Sequence, residues 1–287
     1  MQNNGFYTNK TLNIRGTLVL LDTPVVMGIL NVTPDSFYDG GKFIDERTVL
    51  EHTEKMVREG ARFIDVGGYS TRPGAPSVDV EEEERRVLPV IRLLASHFPT
   101  VPVSVDTFRS AVAQKAVEAG ASMINDISGG EGDEAMFDTV ASLGIPYILM
   151  HMRGTPQTMS KLTNYDDIVK EIADYFHRKI HALHQRGVKD IILDPGFGFS
   201  KTPDQNFELL HQLDYFTTFG IPILAGFSRK SMVWKTLDTN PAGALNGTTA
   251  LNTIALSKGA KILRVHDVKE AVECITLFEK MKKQPVV

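Results

Sequence analysis

Short apolar runs alternate along this chain with longer segments in which apolar residues recur at helical spacing. The short runs predict strands at 25–32, 62–69, 101–106, 122–127, 146–152, 190–195, 222–227 and 261–266. The longer segments predict helices at 46–59, 79–98, 108–119, 132–143, 165–186, 203–213, 229–257 with a break near Pro241, and 267–282. Strands and helices in this order are typical of repeated βα units.

Eight such units in 287 residues fit the α/β class and the size of a (β/α)8 TIM barrel, whose active site lies at the C-terminal ends of the strands. The main alternative is an open doubly wound sheet, but no GxGxxG follows the first strand. We expect one domain across residues 1–287, with a hairpin at 11–22 able to plug the barrel floor. The connections 31–43 and 67–77, rich in Gly, Pro, Ser and Thr, are expected to be functional loops at the rim.

Five polar residues each lie in or at the end of a separate apolar run: Asp106, Asn125, Asp194, Lys230 and Arg264. If the runs are neighbouring parallel strands, these side chains converge at one rim and surround a polar, flat ligand. A buried charge is costly unless another group meets it, so the pattern favours a binding site. A single Asp such as Asp106 or Asp194 could instead cap a helix, but capping is a poor explanation for all five.

Composition narrows the class of ligand. The formal net charge is −4 and the basic residues are scattered, which argues against a nucleic-acid surface. No apolar run approaches the ~20 residues needed to span a bilayer, so no membrane partner is expected. The single cysteine, Cys274, and the lack of an apolar secretory segment predict a reducing, cytoplasmic setting. We therefore expect small-molecule chemistry.

Motifs along nearly the whole chain resemble those of the dihydropteroate synthase family, in that family's order and spacing. They are GILNVTPDSFYDGG, DVGGYSTRPGA, VSVDTFRSAVA, INDISGG, LMHMRGTP, DPGFGFSKTPDQN, GFSRKSM and LRVHDV. The resemblance implies a (β/α)8 transferase of folate biosynthesis. Such an enzyme joins 6-hydroxymethyl-7,8-dihydropterin pyrophosphate to 4-aminobenzoate, with Mg²⁺ beside the leaving pyrophosphate. It also implies a homodimer formed through outer helices, and competition by sulfonamides as 4-aminobenzoate mimics.

The resemblance assigns Asp106, Asn125, Asp194 and Lys230 to pterin binding. The chemistry agrees, because a pterin presents a guanidine-like donor edge on one side and acceptors on the other. Carboxylates and an amide suit the first edge, and a lysine suits the second. Two further residues that we place at strand ends match apolar positions of the family's pocket: Met150 and Phe199.

In the last strand, alternation predicts that Arg264 and His266 point to the same side. TIM barrels commonly hold phosphate after strands seven and eight, and the family places the leaving pyrophosphate there. Arg264 could also stack on the pterin face. The alternative is a structural arginine, paired with Asp267 or with a carboxylate of a neighbouring strand.

The first rim loop contains Asn31, which the resemblance makes the Mg²⁺ contact. One amide oxygen binds Mg²⁺ weakly, so we expect metal binding to depend on the pyrophosphate. Asp35 is a candidate catalytic residue that stabilises positive charge on the methylene carbon, although it could equally be a turn residue after Pro34. Phe37 is assigned to 4-aminobenzoate binding.

The second rim loop contains three candidates. Thr71 matches a contact on the pyrophosphate side and also borders 4-aminobenzoate, Arg72 is a candidate anion clamp, and Pro73 matches part of the 4-aminobenzoate pocket. Ser228, predicted at the start of the helix after the seventh strand, could bind the 4-aminobenzoate carboxylate at a helix N-terminus. A helix-capping role for Ser228 is the alternative, and both can hold.

The chain departs from the family pattern at Tyr69, where Glu is usual, at Tyr38, where Ser is common, and at Ser200, where Gly or Ala is frequent. Two alternative functions remain. A related barrel that passes a methyl group from methyltetrahydrofolate to a corrinoid protein would lack the SFYDGG and STRPGA loops, which are present here. A non-catalytic pterin-binding paralogue would lose loop or pyrophosphate residues. This chain has all five that the comparison uses: Asn31, Thr71, Lys230, Arg264 and His266.

Overall fold

A computed structural model describes residues 11–32, 38–39, 43–70 and 78–282. Within these residues, eight parallel strands form a closed barrel in the order β10-β11-β12-β3-β6-β7-β8-β9, and β9 pairs with β10 to close it. The predicted (β/α)8 barrel is confirmed. The strands are β1 (Thr11–Ile14), β2 (Thr17–Leu20), β3 (Val25–Asn31), β4 (Tyr38–Asp39), β5 (Phe43–Ile44), β6 (Ala61–Gly67), β7 (Val103–Asp106), β8 (Met123–Asp126), β9 (Tyr147–Met150), β10 (Ile191–Asp194), β11 (Ile223–Ala225) and β12 (Ala260–Val265).

Helices lie between the barrel strands in sequence, and each falls within or close to a predicted helical segment. They are α1 (Glu46–Arg58), α2 (Val80–His97), α3 (Ser110–Ala119), α4 (Met136–Leu143), α5 (Ile168–Gln185), α6 (Pro203–His211), α7 (Ser231–Thr236), α8 (Leu245–Ser257) and α9 (Val268–Lys282). Short 3₁₀ segments lie at Met159–Lys161, Leu213–Phe219 and Pro241–Ala244. The predicted break near Pro241 is confirmed, since α7 ends at Thr236 and Pro241 begins the 3₁₀ segment that precedes α8.

Local sequence explains where several helices begin. The carboxylates of Asp45, Asp79 and Asp167 accept hydrogen bonds from backbone N–H groups in the first turns of α1, α2 and α5. Thr202 forms a reciprocal capping box with Gln205 at the start of α6. None of the described helices is both long enough and apolar enough to cross a membrane.

The N-terminal hairpin closes the barrel floor, as predicted. Strands β1 and β2 pair antiparallel, and their buried side chains join one apolar cluster with residues from inside the barrel. The hairpin supplies Leu12, Ile14, Val19 and Leu21, and the barrel strands supply Met27, Phe63, Met123, Ile148, Ile192, Leu224 and Ile262. Burial of this layer fills the lower half of the barrel and leaves its upper end for polar residues.

Candidate active site

A polar layer lies directly above the apolar floor and follows from strand periodicity. Side chains two residues apart on a strand point to the same face, so the residue two positions after each floor residue also points into the barrel. This rule relates Phe63 to Asp65, Met123 to Asn125, Ile148 to Met150, Ile192 to Asp194 and Ile262 to Arg264. Because the strands are parallel, these side chains meet near the C-terminal ends.

Strand register aligns part of this layer into a row. Asn31 on β3 pairs with Gly67 on β6, Gly67 pairs with Asp106 on β7, and Asp106 pairs with Asn125 on β8. A Cβ atom added at Gly67 would lie 3.5 Å from Oδ1 of Asn31 and 3.6 Å from Oδ2 of Asp106. Glycine therefore leaves the space between these two side chains open.

Arg264 is the centre of one half of the site. Its Nε donates to Oδ2 of Asp65 at 2.6 Å, and its Nη2 donates to Oδ2 of Asp106 at 2.7 Å. The side-chain amide of Asn125 donates to the same Asp65 oxygen at 2.9 Å. The arginine, two carboxylates and one amide thus form a continuous hydrogen-bonded network across the barrel mouth.

Asp65 was not identified from the sequence. It lies within β6, inside an apolar run, and is fully buried. Among the described residues nothing donates a hydrogen bond to its other oxygen, Oδ1. The signal that could have identified it is its spacing of two residues after Phe63, which is the spacing that relates Asn125, Asp194 and Arg264 to their own floor residues.

Burial and charge act in opposite directions in this network. Burial raises the pKa of Asp106 from 3.8 to about 7; attraction to Arg264 opposes the shift, and repulsion from Asp65 adds to it. Burial alone would lower the pKa of Arg264, but Asp65 and Asp106 outweigh it and raise that pKa. Arg264 therefore stays charged, whereas the proton on Asp106 is exchangeable near neutral pH.

Lys230 and Asp194 lie in the other half of the site. Lys230 Nζ donates to the backbone carbonyl of Phe197 and lies 4.6 Å from the ring centre of Phe199. Burial lowers the pKa of Lys230 to about 8, and Asp194 only partly offsets this shift. Burial raises the pKa of Asp194 from its ordinary value, opposed by Lys230. An acceptor and a donor thus stand in the same region of the site, and each opposes the shift that burial causes in the pKa of the other.

An apolar surface adjoins these polar groups. Met150 belongs to a buried cluster with Ile127, Met152 and Met159, against which Phe108 and Phe199 pack. Met150 ends β9 as predicted, but the prediction for Phe199 was wrong in one respect: it lies five residues beyond the end of β10, in the connection to α6. The pocket therefore combines an apolar wall with donors and acceptors, as ligand sites commonly do.

Ser228 and His266 contact each other. The Ser228 hydroxyl lies 2.8 Å from Nδ1 of His266, and the backbone N–H of His266 donates to the Ser228 hydroxyl. The predicted position of Ser228 at a helix start was wrong, because α7 begins at Ser231 after Lys230 as N-cap. The Ser228 hydroxyl contacts His266, and the N-terminus of α7 has no side-chain cap among the residues that the structure describes.

Arg264 does not pair with Asp267, the nearest carboxylate in the sequence. Asp267 pairs instead with Arg229 at 2.8 Å, so the alternative of an Arg264–Asp267 pair is excluded. The other alternative, pairing with carboxylates of other strands, describes what Arg264 does. Arg264 and His266 have different partners, although both lie at the end of β12.

Five of the predicted site residues lie outside the described residues: Asp35, Phe37, Thr71, Arg72 and Pro73. Tyr69, the departure from the family's glutamate, is described. Its hydroxyl accepts a hydrogen bond from the side-chain amide of Gln157 at 2.7 Å, and its ring packs edge-on against Phe108 at 5.3 Å. Tyr69 therefore connects the end of β6 with the segment that follows β9.

Asn31 offers a side-chain oxygen of the kind that suits a metal ion. It ends β3, half-buried, with its amide oxygen and the Oδ2 of Asp106 on either side of Gly67. These are hard oxygen donors of the kind that Mg²⁺ prefers. No group of three or more His, Cys, Asp or Glu residues that could hold a metal occurs in the described part of the chain. The donors fit an ion that is completed by phosphate oxygens better than one held by protein alone.

Comparison with known proteins decides the family. The profile of the family described as "Pterin binding enzyme" matches residues 27–266. The dihydropteroate synthase of Escherichia coli is 45% identical over 267 residues, which cover 92% of this chain and 94% of that protein. The chain belongs to the pterin-binding enzymes and, within them, to the dihydropteroate synthases.

Two further comparisons agree with that assignment. Folic acid synthesis protein fol1 of Schizosaccharomyces pombe is 47% identical over 274 residues, but the match spans 93% of this chain and only 37% of that longer protein. The Yersinia pestis dihydropteroate synthase, solved with a sulfonamide drug complex, is 42% identical with a TM-score of 0.90. That superposition covers 96% of this chain and all of the Yersinia chain. The likeness to a dihydropteroate synthase thus extends over the barrel as a whole.

Proposed function

We propose that this chain catalyses the condensation of 6-hydroxymethyl-7,8-dihydropterin pyrophosphate with 4-aminobenzoate. The C–O bond between the pterin methylene and pyrophosphate breaks, and a C–N bond forms between that methylene and the arylamine. The amine loses one proton, and the products are 7,8-dihydropteroate and pyrophosphate. The observation that carries this proposal is the ring of buried acceptors and the opposing Lys230 directly above the apolar floor.

Pterin recognition follows from the donor and acceptor inventory of that ring. Asp106, Asn125 and Asp194 offer oxygen acceptors to the guanidine-like edge of a pterin. Lys230 offers a donor to the opposite, carbonyl-bearing edge. Met150 and Phe199 supply apolar surface for the ring faces. A flat heterocycle with one donor edge and one acceptor edge satisfies all of these groups at once.

The leaving pyrophosphate would lie toward Arg264 and His266, at the end of β12. Arg264 stays charged because Asp65 and Asp106 raise its pKa, so it can oppose developing negative charge. An arylamine is a weak nucleophile, and the enzyme gains most by loosening the leaving group. Asp35 and Thr71 are proposed on the same side, where Asp35 would stabilise positive charge on the methylene carbon.

We assign Asn31 as the protein contact of Mg²⁺. The bound ion would neutralise charge on the departing pyrophosphate, whose oxygens would complete its coordination. The positions of Asn31 and Asp106 on either side of Gly67 support this assignment.

The 4-aminobenzoate would lie nearer the rim. Ser228 is proposed to contact its carboxylate, with Phe37, Thr71, Arg72 and Pro73 around the ring. This side is favoured for the second substrate because the buried layer below is matched to the pterin.

The direct test mixes dihydropterin pyrophosphate, radiolabelled 4-aminobenzoate, Mg²⁺ and the protein, and separates the labelled products. Labelled 7,8-dihydropteroate and an equal amount of pyrophosphate are expected. A sulfonamide should compete with 4-aminobenzoate and not with the pterin substrate. Formation of no labelled product by folded protein would reject the proposed reaction, and methyl transfer to a corrinoid protein would then be assayed.

We also propose a homodimer formed through outer helices. Support comes from large apolar side chains exposed on the adjoining helices α8 and α9: Leu245, Ile254, Leu277 and Met281. Sedimentation analysis should give twice the mass of one chain. Ile254→Lys should reduce that mass, whereas Leu18→Lys, at an equally apolar exposed site on the hairpin, should leave it unchanged. A monomeric wild-type protein would contradict the dimer.

A further inference from the structure

A buried lysine outside the pterin-binding set makes an unusual group of contacts. Lys201 lies between β10 and α6 and is only 8% exposed. Its Nζ is 2.9 Å from the carbonyl oxygen of Gly196, 3.0 Å from that of Phe199 and 3.5 Å from that of His151, and 3.1 Å from Nδ1 of His151. No carboxylate in the described residues forms an ion pair with it.

Burying a lysine in this way is costly. Burial lowers the pKa of Lys201 well below its ordinary value, and Asp194 only partly opposes the shift. Lysines are almost never fully buried without a charged partner. The contacts of Lys201 must therefore do something that an apolar side chain of similar length could not do.

The carbonyl groups that Lys201 holds belong to residues that contact the pterin-binding groups. Gly196 accepts at its carbonyl from Lys201, while its backbone N–H donates to Oδ1 of Asp194 at 2.8 Å. Phe199 accepts in the same way, while its ring lies beneath Nζ of Lys230. Between them, Phe197 accepts from Lys230. One amino group thus fixes both ends of the segment 196–199.

The third carbonyl anchors that segment to the barrel. His151 directly follows Met150 at the end of β9, and its backbone N–H donates to the carbonyl of Asp194 at 3.0 Å. A Cβ atom at Gly196, where φ is +72°, would lie 2.0 Å from the His151 carbonyl oxygen. The two backbones therefore approach so closely that only glycine fits, and Lys201 joins them at this point.

We propose that Lys201 is a positioning residue for the pterin subsite: it holds the segment 196–199 against β9, and through it sets Asp194, Phe199 and Lys230 around the pterin. It does not touch substrate. This inference rests on the proposed pterin-binding roles of Asp194 and Lys230.

The test is Lys201→Met, which keeps the stem and removes the amino group. Loss of hydrogen bonds that hold the subsite should raise the Kd for a reduced pterin by about tenfold or more. The KM for 4-aminobenzoate at saturating pterin substrate should change by less than about twofold. Gly196→Ala displaces the same segment from its other end and should give the same split.

Leu12→Ala is the matched control, because it destabilises the barrel floor far from this segment and should leave both constants unchanged. A Lys201→Met protein with wild-type affinity for the pterin would overturn the positioning role while the proposed reaction stands. Equal loss of both substrates with a lower folded fraction would also overturn it. If the wild-type protein binds no pterin at all, the proposed function fails, and the inference fails with it.

Discussion

The guanidinium of Arg264 on β12 bonds the buried carboxylate of Asp65 on β6, Nε to Oδ2 at 2.6 Å, across the intervening strand β3. Asp65 is fully buried, and the Arg264 side chain is 19% exposed. Removing one partner of such a pair leaves the other charge without compensation. Asp65→Asn should therefore lower the free energy of unfolding by about 2 kcal/mol and weaken pterin binding. Urea unfolding and calorimetric titration measure the two effects.

The control for Asp65→Asn is the same substitution in an exposed pair. Asp174 pairs with Lys170 at 3.0 Å on the surface of α5, where both side chains are mostly exposed. Asp174→Asn should change the unfolding free energy by less than about 0.5 kcal/mol. Equal effects of the two substitutions would show that the Arg264–Asp65 bond contributes no more than a surface pair.

Periodicity made most of this fold predictable from sequence. Each barrel strand and each helix lies within a few residues of its predicted range, because apolar residues recur at spacings that only one kind of element can bury. Asp106, Asn125 and Asp194 could be identified because they stand at or near the ends of apolar runs. Asp65 was missed because it stands between the apolar residues Ile64 and Val66. It therefore does not mark the end of an apolar run, as the other acceptors do.

Contacts between distant segments explain what the sequence could not predict. The amino group of Lys201 meets carbonyl groups from two connections about fifty residues apart, His151 and Gly196 among them. No pattern of neighbouring residues predicts contacts between segments so far apart in the sequence. Ser228 also makes a contact that the local sequence does not show, with His266 at a separation of 38 residues, and the following helix begins only at Ser231.

Lys230→Ala should abolish most turnover while leaving the fold intact. The variant removes the donor that faces Asp194 and stands over Phe199. Loss of one such group in a preorganised site typically costs about a hundredfold or more in rate. Lys235→Ala, on the exposed side of the same short helix, is the control and should retain wild-type kcat. Asp194→Ala should behave like Lys230→Ala. A near-wild-type rate in either variant would contradict the assignment of Asp194 and Lys230 to the pterin site.

Metal dependence should be tied to the pyrophosphate. Mg²⁺ should strengthen binding of the pterin pyrophosphate and have no effect on a pterin that lacks it, because Asn31 alone offers too few donors. Asn31→Ala should lose about tenfold or more of that gain. Calorimetric titrations with and without Mg²⁺ measure the difference. An undiminished effect of Mg²⁺ in the variant would exclude Asn31 as the contact.

The hairpin should contribute stability and not activity. Leu12 is 1% exposed within the floor cluster, so Leu12→Ala should cost about 2–5 kcal/mol of unfolding free energy. Leu18 is 68% exposed on the same hairpin, and Leu18→Ala should stay within about 0.5 kcal/mol of wild type. Urea unfolding distinguishes them. Similar losses from both substitutions would contradict the role of the hairpin as a buried plug.

The pH dependence of pterin binding should be bell-shaped, with its maximum between about pH 7 and pH 8. Binding needs Asp106 as a carboxylate and Lys230 as an ammonium, so affinity falls below the Asp106 pKa of about 7 and above the Lys230 pKa of about 8.

The free energy of unfolding depends on pH in the opposite direction to pterin affinity. Between pH 3.8 and about 7 the folded state binds more protons through Asp106, so that contribution falls as pH rises. Between about 8 and 10.5 the unfolded state binds more protons through Lys230, so that contribution rises as pH rises.

Lys230→Arg should remove the loss of pterin affinity at alkaline pH and keep the loss at acidic pH. Wild type and variant are measured with the same ligand, so the titration of the ligand cancels when the two are compared. An alkaline limb that survives in Lys230→Arg would mean that another group titrates there.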